Sequence, residues 1–227
     1  MRLVTMHLKK APTPNGVRRV PVNVRSLTGE VNGQEFESSL ERDLLLLVHW
    51  DHEVDWYQSQ PIKIDYQDQR GVQRKYTPDL LISYRNGDGH RPSRKPVLCE
   101  VKYREDFFGQ WRKLKPKLKA ARRYAAEQDW EFMVFTELEI RTTYLENVKF
   151  LWSYRFAYFH EHHYEQLQLS MSELHKCSVQ ELLEVTYGSK ALRNEALWTL
   201  WCMVARGWLL CDMNKKLTMK STIWVKA

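Results

Sequence analysis

The chain has 227 residues, of which 43% are hydrophobic and 28% are charged, and its formal net charge is +7. This composition excludes a disordered chain, and the excess of Lys and Arg favours an anionic partner. No apolar run is long enough for a secretory signal or a membrane span, and the four cysteines show no metal-binding spacing. The sequence therefore predicts a soluble, cytoplasmic protein without a membrane partner.

The first predicted unit is a basic N-terminal arm, residues 1–33, in which prolines and glycines break any regular pattern. Two interpretations are open, because such an arm is either a strap on nucleic acid or a solvated tail. The following segment, 34–49, repeats apolar residues at helical spacing. It predicts an amphipathic helix against a core.

Several β-strands are predicted next. Residues 61–66 alternate apolar and polar side chains, and residues 72–84 form a second strand that Pro78 must bend, because proline cannot donate to a ladder. A turn at residues 86–89 and a basic loop at residues 91–96 lead to a third, almost entirely apolar strand at residues 97–102.

Helices and one more strand complete the predicted first domain, residues 34–165. A basic helix covers residues 113–128, a strand covers residues 131–136 and a helix covers residues 143–158. This order of elements predicts an α/β fold, a mixed sheet flanked by helices.

A second domain is predicted for residues 166–227, after a linking segment at residues 160–168. Ser178 caps a predicted helix that ends at Tyr187, a longer helix covers residues 191–206, and residues 208–224 form a hairpin. Two helices followed by a hairpin are the outline of a small winged-helix-like domain.

The most informative residues lie on two of the predicted strands. Asp79 follows Pro78, and Glu100 and Lys102 stand two positions apart, so that their side chains leave the same face of one strand. This is a PD-(D/E)xK nuclease signature. Asp79, Glu100 and the Val101 carbonyl are expected to hold Mg²⁺, or Mn²⁺ in its place, while Lys102 orients or deprotonates the attacking water.

A further carboxylate on the first helix is expected to complete the metal site. Glu41 lies at the edge of the apolar stripe, and Glu37, one turn away, is the competing candidate. Each site residue also has an ordinary structural interpretation. Asp79 is then a turn residue, Glu100 and Lys102 are an exposed pair on an edge strand, and Glu41 forms a capping box with Ser38.

Several sequence blocks, taken in order, resemble the TnsA family, the endonuclease subunit of heteromeric Tns-type transposons. They are Phe36-Glu37-Ser38-Ser39-Leu40-Glu41-Arg42-Asp43-Leu44, Val54-Asp55-Trp56-Tyr57-Gln58-Ser59-Gln60-Pro61, Tyr76-Thr77-Pro78-Asp79-Leu80-Leu81, Leu98-Cys99-Glu100-Val101-Lys102 and the segment 130–140. The resemblance covers roughly residues 30–160 and implies a restriction-endonuclease-like domain with catalytic Glu41, Asp79 and Lys102. It favours Glu41 over Glu37. Relatives can carry glutamine at the position of Glu100.

The resemblance also implies a reaction and partners. The expected activity is cleavage of the non-transferred strand at the 5′ ends of the element, within a cut-and-paste complex on double-stranded DNA. A DDE-type, TnsB-like transposase would cut and join the 3′ ends, an AAA+, TnsC-like ATPase would regulate the complex, and the C-terminal domain would contact DNA.

The basic helix is the predicted DNA-binding surface, with a solvated helix face as its alternative. Its members are Lys113, Lys115, Lys117, Lys119, Arg122 and Arg123. Two rival functions also stay open at this stage. One is a stand-alone restriction or repair nuclease, and the other is a DNA-bound scaffold whose nuclease site is vestigial.

Overall fold

A computed structural model describes residues 29–31, 33–85 and 94–226. Most of the predicted basic arm, the predicted turn at residues 86–89 and the start of the basic loop lie outside these residues. The described chain divides into two compact units, residues 1–140 and residues 141–227. No helix in the described part of the chain combines the length and the apolar character that crossing a membrane requires.

The first unit opens with a short hairpin and a helix. Strands β1 (Gly29–Val31) and β2 (Gln34–Phe36) pair antiparallel, and helix α1 spans Ser39–Trp50. The sequence prediction that the helix begins at residue 34 is wrong. Gln34 and Phe36 are buried while Glu35 is exposed, which is the alternation of a strand, and Ser38 caps the helix by accepting a hydrogen bond from the Glu41 amide.

Six strands and three helices follow in the first unit. They are β3 (Val54–Ser59), β4 (Ile64–Gln67), β5 (Gln73–Tyr76), β6 (Leu80–Tyr84), β7 (Val97–Val101), α2 (Arg104–Gly109), α3 (Trp111–Glu127), β8 (Glu131–Phe135) and α4 (Glu137–Ile140). The central sheet has the order β3-β6-β7-β8, and its last pair is parallel. The predicted mixed sheet with flanking helices is confirmed.

The strand predictions need two corrections. The predicted strand 61–66 corresponds to β4, which pairs with β5 in a hairpin outside the central sheet. The sequence did not predict β3, the first strand of the central sheet. The predicted strand 72–84 is two strands in different sheets, because the chain leaves one ladder and enters the other around Pro78. The β4-β5 hairpin turns at Gly71, whose φ of 77° suits glycine.

Helix α3 packs its small and apolar face against the hairpin and the central sheet. Leu98, Ala121 and Tyr76 belong to one buried cluster, in which the hairpin, the sheet and the helix meet. The helix therefore has a fixed rotation, with one face in the core and its other face in solvent.

The second unit contains four helices and a three-stranded antiparallel sheet. Its elements are α5 (Thr143–Arg155), α6 (Glu161–Leu174), β9 (Lys176–Ser178), α7 (Val179–Thr186), α8 (Lys190–Ala205), β10 (Leu210–Cys211) and β11 (Thr222–Trp224). The sheet order is β10-β11-β9. Segment 160–168, predicted as a link, lies mostly in α6, and the predicted hairpin strands are shorter than residues 208–224 suggested.

The division between the units falls earlier in the chain than the predicted boundary after residue 165. Helix α5 is the reason, because it packs on α8. Phe150 of α5 lies edge-on to Trp201 of α8 at a centroid distance of 5.1 Å, and Tyr154 lies 4.7 Å from Trp198. These aromatic contacts, together with the buried Leu145, Val148 and Leu151, place α5 in the second unit.

Asn147 of α5 fixes the loop between β10 and β11. Its side-chain amide donates to the carbonyls of Met213 and Lys215, and its Oδ1 accepts from the Leu217 amide. Asn147→Ala should lower the free energy of unfolding by about 2 kcal/mol, because it removes these bonds from a buried position. Urea unfolding would measure it, with exposed Asn194→Ala as the control. Equal losses in the two variants would contradict this role.

Candidate active site

Three of the predicted site residues, Asp79, Glu100 and Lys102, line a groove of about 600 Å³ in the first unit. Asp79 directly precedes β6, β7 supplies Glu100, and Lys102 directly follows β7. Four lysines from different elements face the groove, namely Lys63, Lys75, Lys102 and Lys117. The groove thus combines carboxylates on the sheet with ammonium groups around them.

Asp79 is tied to the neighbouring strand by both its backbone and its side chain. Its amide donates to the Cys99 carbonyl at 3.0 Å, and its Oδ2 accepts from the Val101 amide at 2.7 Å. Among the described residues, Oδ1 has no hydrogen-bond partner. Burial raises the pKa of Asp79 well above its ordinary value, and the carboxylates of Glu100 and Glu41 raise it further.

Glu100 lies on an interior strand and is 1% exposed. Its Oε1 is 2.8 Å from Lys117 Nζ and 3.6 Å from Lys102 Nζ, and its Oε2 accepts a hydrogen bond from the Tyr76 hydroxyl. Because β7 is bounded on both sides by other strands, the alternative of an exposed pair on an edge strand is wrong. A carboxylate this buried requires the compensation that these three groups provide.

Lys102 stands as an ammonium group in this site. Burial acts to lower its pKa, but the carboxylates of Asp79, Glu100 and Glu41 outweigh that effect, so that the pKa of Lys102 is raised. A protonated lysine cannot take a proton from water. Of the two roles expected for it, the arrangement therefore favours orienting the water and offsetting negative charge.

Glu41 lies at the start of α1 beside the site, and it does not complete a capping box, because its side chain accepts from the Glu37 amide and not from the Ser38 amide. Its Oε1 accepts from the Ser38 hydroxyl and its Oε2 from the Glu37 amide, both at 2.8 Å. Burial raises its pKa, which hydrogen bonds from Glu37 and Ser38 partly offset. Glu41, Asp79 and Val101 also line one small cavity of about 10 Å³, whereas Glu37 lines the open groove.

The fit of a metal ion rests on that small cavity. Its volume is about that of a single water molecule or a small ion, and three acidic residues, Glu35, Glu41 and Asp79, line it. In the described parts of the chain, no three His, Cys, Asp or Glu side chains already form a metal cluster. Mg²⁺ commonly binds to one or two carboxylates and fills its other positions with water and substrate phosphate, so the residues fit this ion.

The sequence did not predict the groove contacts of Tyr76, Lys117 and Gln60, and it assigned Lys117 only to the DNA-binding helix. Tyr76 and Lys117 contact Glu100. The backbone amide of Gln60 donates to the Asp79 carbonyl at 2.9 Å, and Gln60 has a left-handed φ of 49°. The helical period could have identified Lys117, because it lies three or four positions from Leu114 and Ala121, which are both buried. No comparable signal marks Gln60, whose unusual backbone depends on the tertiary structure.

The predicted DNA-binding residues of α3 do not form one surface. Lys117 turns into the groove, where its side chain is 19% exposed. The remaining members are exposed on the outer faces of the helix, and they are Lys113, Lys115, Lys119, Arg122 and Arg123.

Residues 51–137 match the family model described as "TnsA-like endonuclease N terminal". This segment is similar to TnsA-like endonucleases. The match includes Asp79, Glu100, Lys102 and Lys117, while Glu41 precedes it. It confirms the TnsA resemblance that the sequence blocks indicated. No curated protein matches the chain.

The raised pKa of Asp79 predicts how the stability of the metal-free protein depends on pH. The folded protein retains the Asp79 proton at pH values where the unfolded chain, with an ordinary pKa of about 3.9, has lost it. This contribution is complete below about pH 4 and is lost as the pH rises through the raised pKa. Asp79→Asn cannot ionise, so it should be more stable than the unaltered protein at neutral pH in the presence of a chelator.

Urea unfolding across this pH range would measure the difference, which should shrink as the pH falls toward 4. Asp55→Asn, on the exposed surface of β3, is the matched control. A stability difference between the Asp79→Asn variant and the unaltered protein that does not change with pH would refute the electrostatic assignment.

Proposed function

We propose that this chain is a Mg²⁺-dependent DNA endonuclease that hydrolyses the non-transferred strand at the 5′ ends of a transposon. The observation that carries the proposal is the meeting of Asp79, Glu100 and Lys102 in a lysine-lined groove of a TnsA-like endonuclease domain. Carboxylates that fit a hard cation, beside ammonium groups that fit a phosphate, are the groups that phosphodiester hydrolysis needs.

In the proposed reaction, Asp79, Glu41, Glu100 and the Val101 carbonyl are the groups available to hold Mg²⁺. The ion would lower the pKa of water and offset charge on the phosphate. Lys102 orients the attacking water and stabilises negative charge on the phosphoryl oxygens. A new bond forms between the water oxygen and phosphorus, and the bond to the leaving oxygen breaks. The water loses a proton to solvent, and the leaving oxygen takes one up.

The second unit is proposed to be a winged-helix-like module that contacts DNA. Its order of elements, α6-β9-α7-α8-β10-β11 with β11 between the other two strands, supports the proposal. The loop between β10 and β11, which would be the wing, exposes Lys215, Lys216 and Lys220. Exposed lysines on a fixed loop suit contact with phosphates.

The proposed complex includes a DDE-type, TnsB-like transposase and an AAA+, TnsC-like ATPase, as the family resemblance implies. Cooperation with a transposase distinguishes this proposal from a stand-alone restriction or repair nuclease, which would cut plain duplex by itself. A scaffold with a vestigial site is disfavoured, because the intact carboxylates and lysines of the groove would then have no use.

Asp79→Ala should abolish 5′-strand cleavage, because it removes the carboxylate anchored on β7 at the centre of the groove. Cutting and joining of the 3′ ends by the transposase should continue. Strand-specific mapping of breaks on a duplex that carries a transposon end, with and without a DDE-type transposase, measures both reactions. Exposed Asp55→Ala should retain 5′ cleavage. Unchanged 5′ cleavage by Asp79→Ala would refute the assignment, and cleavage without the transposase would favour the stand-alone nuclease.

The exposed residues of α3 should contribute affinity that depends on salt. Lys115→Met is expected to weaken duplex binding to a similar degree on all sequences, because a phosphate contact does not read bases. It should also reduce the slope of log affinity against log salt by about 1. Fluorescence anisotropy at several salt concentrations measures this slope. An unchanged slope would identify this part of α3 as a solvated face.

A further inference from the structure

Lys117 differs from the other basic residues of α3 in where its side chain lies. Its neighbours one turn away, Leu114 and Ala121, are buried in the core, and this packing turns Lys117 toward the groove. Lys113 and Lys115, on other faces of the same helix, are exposed. The position of Lys117 is therefore set by the fold and not by a flexible surface.

Contacts on two sides hold the Lys117 ammonium. Its Nζ is 2.8 Å from Glu100 Oε1 and 4.5 Å from the centre of the Tyr76 ring. The Tyr76 hydroxyl donates to the other oxygen of the same carboxylate. An ammonium that pairs with a buried carboxylate and faces an aromatic ring is both desolvated and oriented.

Lys102 approaches the same oxygen of Glu100 at 3.6 Å, so both ammonium groups lie close enough together to contact one phosphodiester. Glu100 carries one negative charge, which can balance only one of the two lysines. Four lysines and three acidic residues, Glu37, Asp79 and Glu100, line the groove, so that its lining carries at least one excess positive charge. This excess suits an anion.

We propose that Lys117 is a second active-site lysine, which contacts the phosphodiester and stabilises the negative charge on its oxygens in the transition state. Glu100 and Tyr76 are its positioning residues. The role is electrostatic, since Lys117 makes and breaks no bond and transfers no proton. The proposal deepens the nuclease function described above and rests on it.

Lys117→Met should lower kcat for strand cleavage by about 100- to 1,000-fold, the range for loss of one preorganised group that stabilises charge in a transition state. KM for the duplex should change by less than about 3-fold. Lys115→Met is the matched control on the same helix, and it should show the opposite pattern, a raised KM with kcat retained. Lys117→Arg keeps the charge and should recover part of kcat. A kcat for Lys117→Met within about 2-fold of the unaltered protein would overturn the proposal.

A double-mutant cycle distinguishes the proposed role from a purely structural one, in which Lys117 only neutralises Glu100. If Lys117 serves only Glu100, its replacement should cost nothing in a Glu100→Gln background, where the buried charge is gone. If Lys117 contacts the phosphate, Glu100→Gln/Lys117→Met should remain at least about 100-fold slower than Glu100→Gln. Equal rates for these two variants would overturn the proposal.

Binding measurements provide a readout that does not require cleavage. The full chain is titrated with duplexes in which one phosphate at a time is an uncharged methylphosphonate, with Ca²⁺ present in place of Mg²⁺. The unaltered protein should lose affinity at one position where the Lys117→Met variant does not. If the same methylphosphonate positions weaken binding by both proteins, the proposed contact between Lys117 and a phosphate is refuted. Failure of the proposed nuclease function would give a different result. In that case no 5′-strand break would form even when the unaltered protein and the transposase are both present.

Discussion

The buried carboxylate of Glu100 is the group on which the arrangement of the site depends. It lies on an interior strand at 1% exposure, where an uncompensated charge would be strongly unfavourable. Three elements supply the compensation, with Tyr76 from the hairpin, Lys117 from α3 and Lys102 from the end of β7. The residues that balance the charge of Glu100 therefore come from the point where the hairpin, the helix and the sheet meet.

Asp79 lies in the same groove as Glu100, but different groups act on the charge of its carboxylate. Its Oδ2 is held by the Val101 amide, but burial and two neighbouring carboxylates make its ionised form unfavourable. A cation beside Asp79 would remove that penalty, as would a proton. The unfavourable ionisation of Asp79 lowers the stability of the metal-free protein. The same effect favours the binding of a cation at the small cavity, which Glu41 and Val101 also line.

The parts of the fold that the sequence predicted are those with strong local patterns. The apolar run of β7 and the periodic face of α3 required only the alternation or the helical repeat of their own residues. The β1-β2 hairpin was missed because its strands are short, and β3 was missed because its alternation of buried and exposed residues is irregular. Both depend on tertiary partners, such as the Gln34 side chain, which accepts from the Ser59 amide. Pro78 marked a break correctly, but the separation of β5 and β6 into different sheets is a tertiary property.

For the site, spacing along the chain was enough to bring Asp79, Glu100 and Lys102 together, since adjacent strands place them on one surface. It could not separate Lys117 from the exposed lysines of α3 without knowing which face of the helix packs. It also could not decide between capping and a site role for Glu41. In the structure the Glu41 side chain accepts from the Ser38 hydroxyl and the Glu37 amide, and Glu41 lines the small cavity.

The most direct test of this account is a titration of Mn²⁺ into the full chain, bound to a duplex that resists cleavage and followed by electron paramagnetic resonance. The account predicts that the protein binds Mn²⁺ and that Asp79→Asn weakens this binding by at least about 10-fold, since even the loss of a group that only supports a ligand costs about 10- to 100-fold. The exposed Asp55→Asn variant should bind like the unaltered protein. Equal Mn²⁺ affinity in Asp79→Asn and the unaltered protein would contradict the central claim.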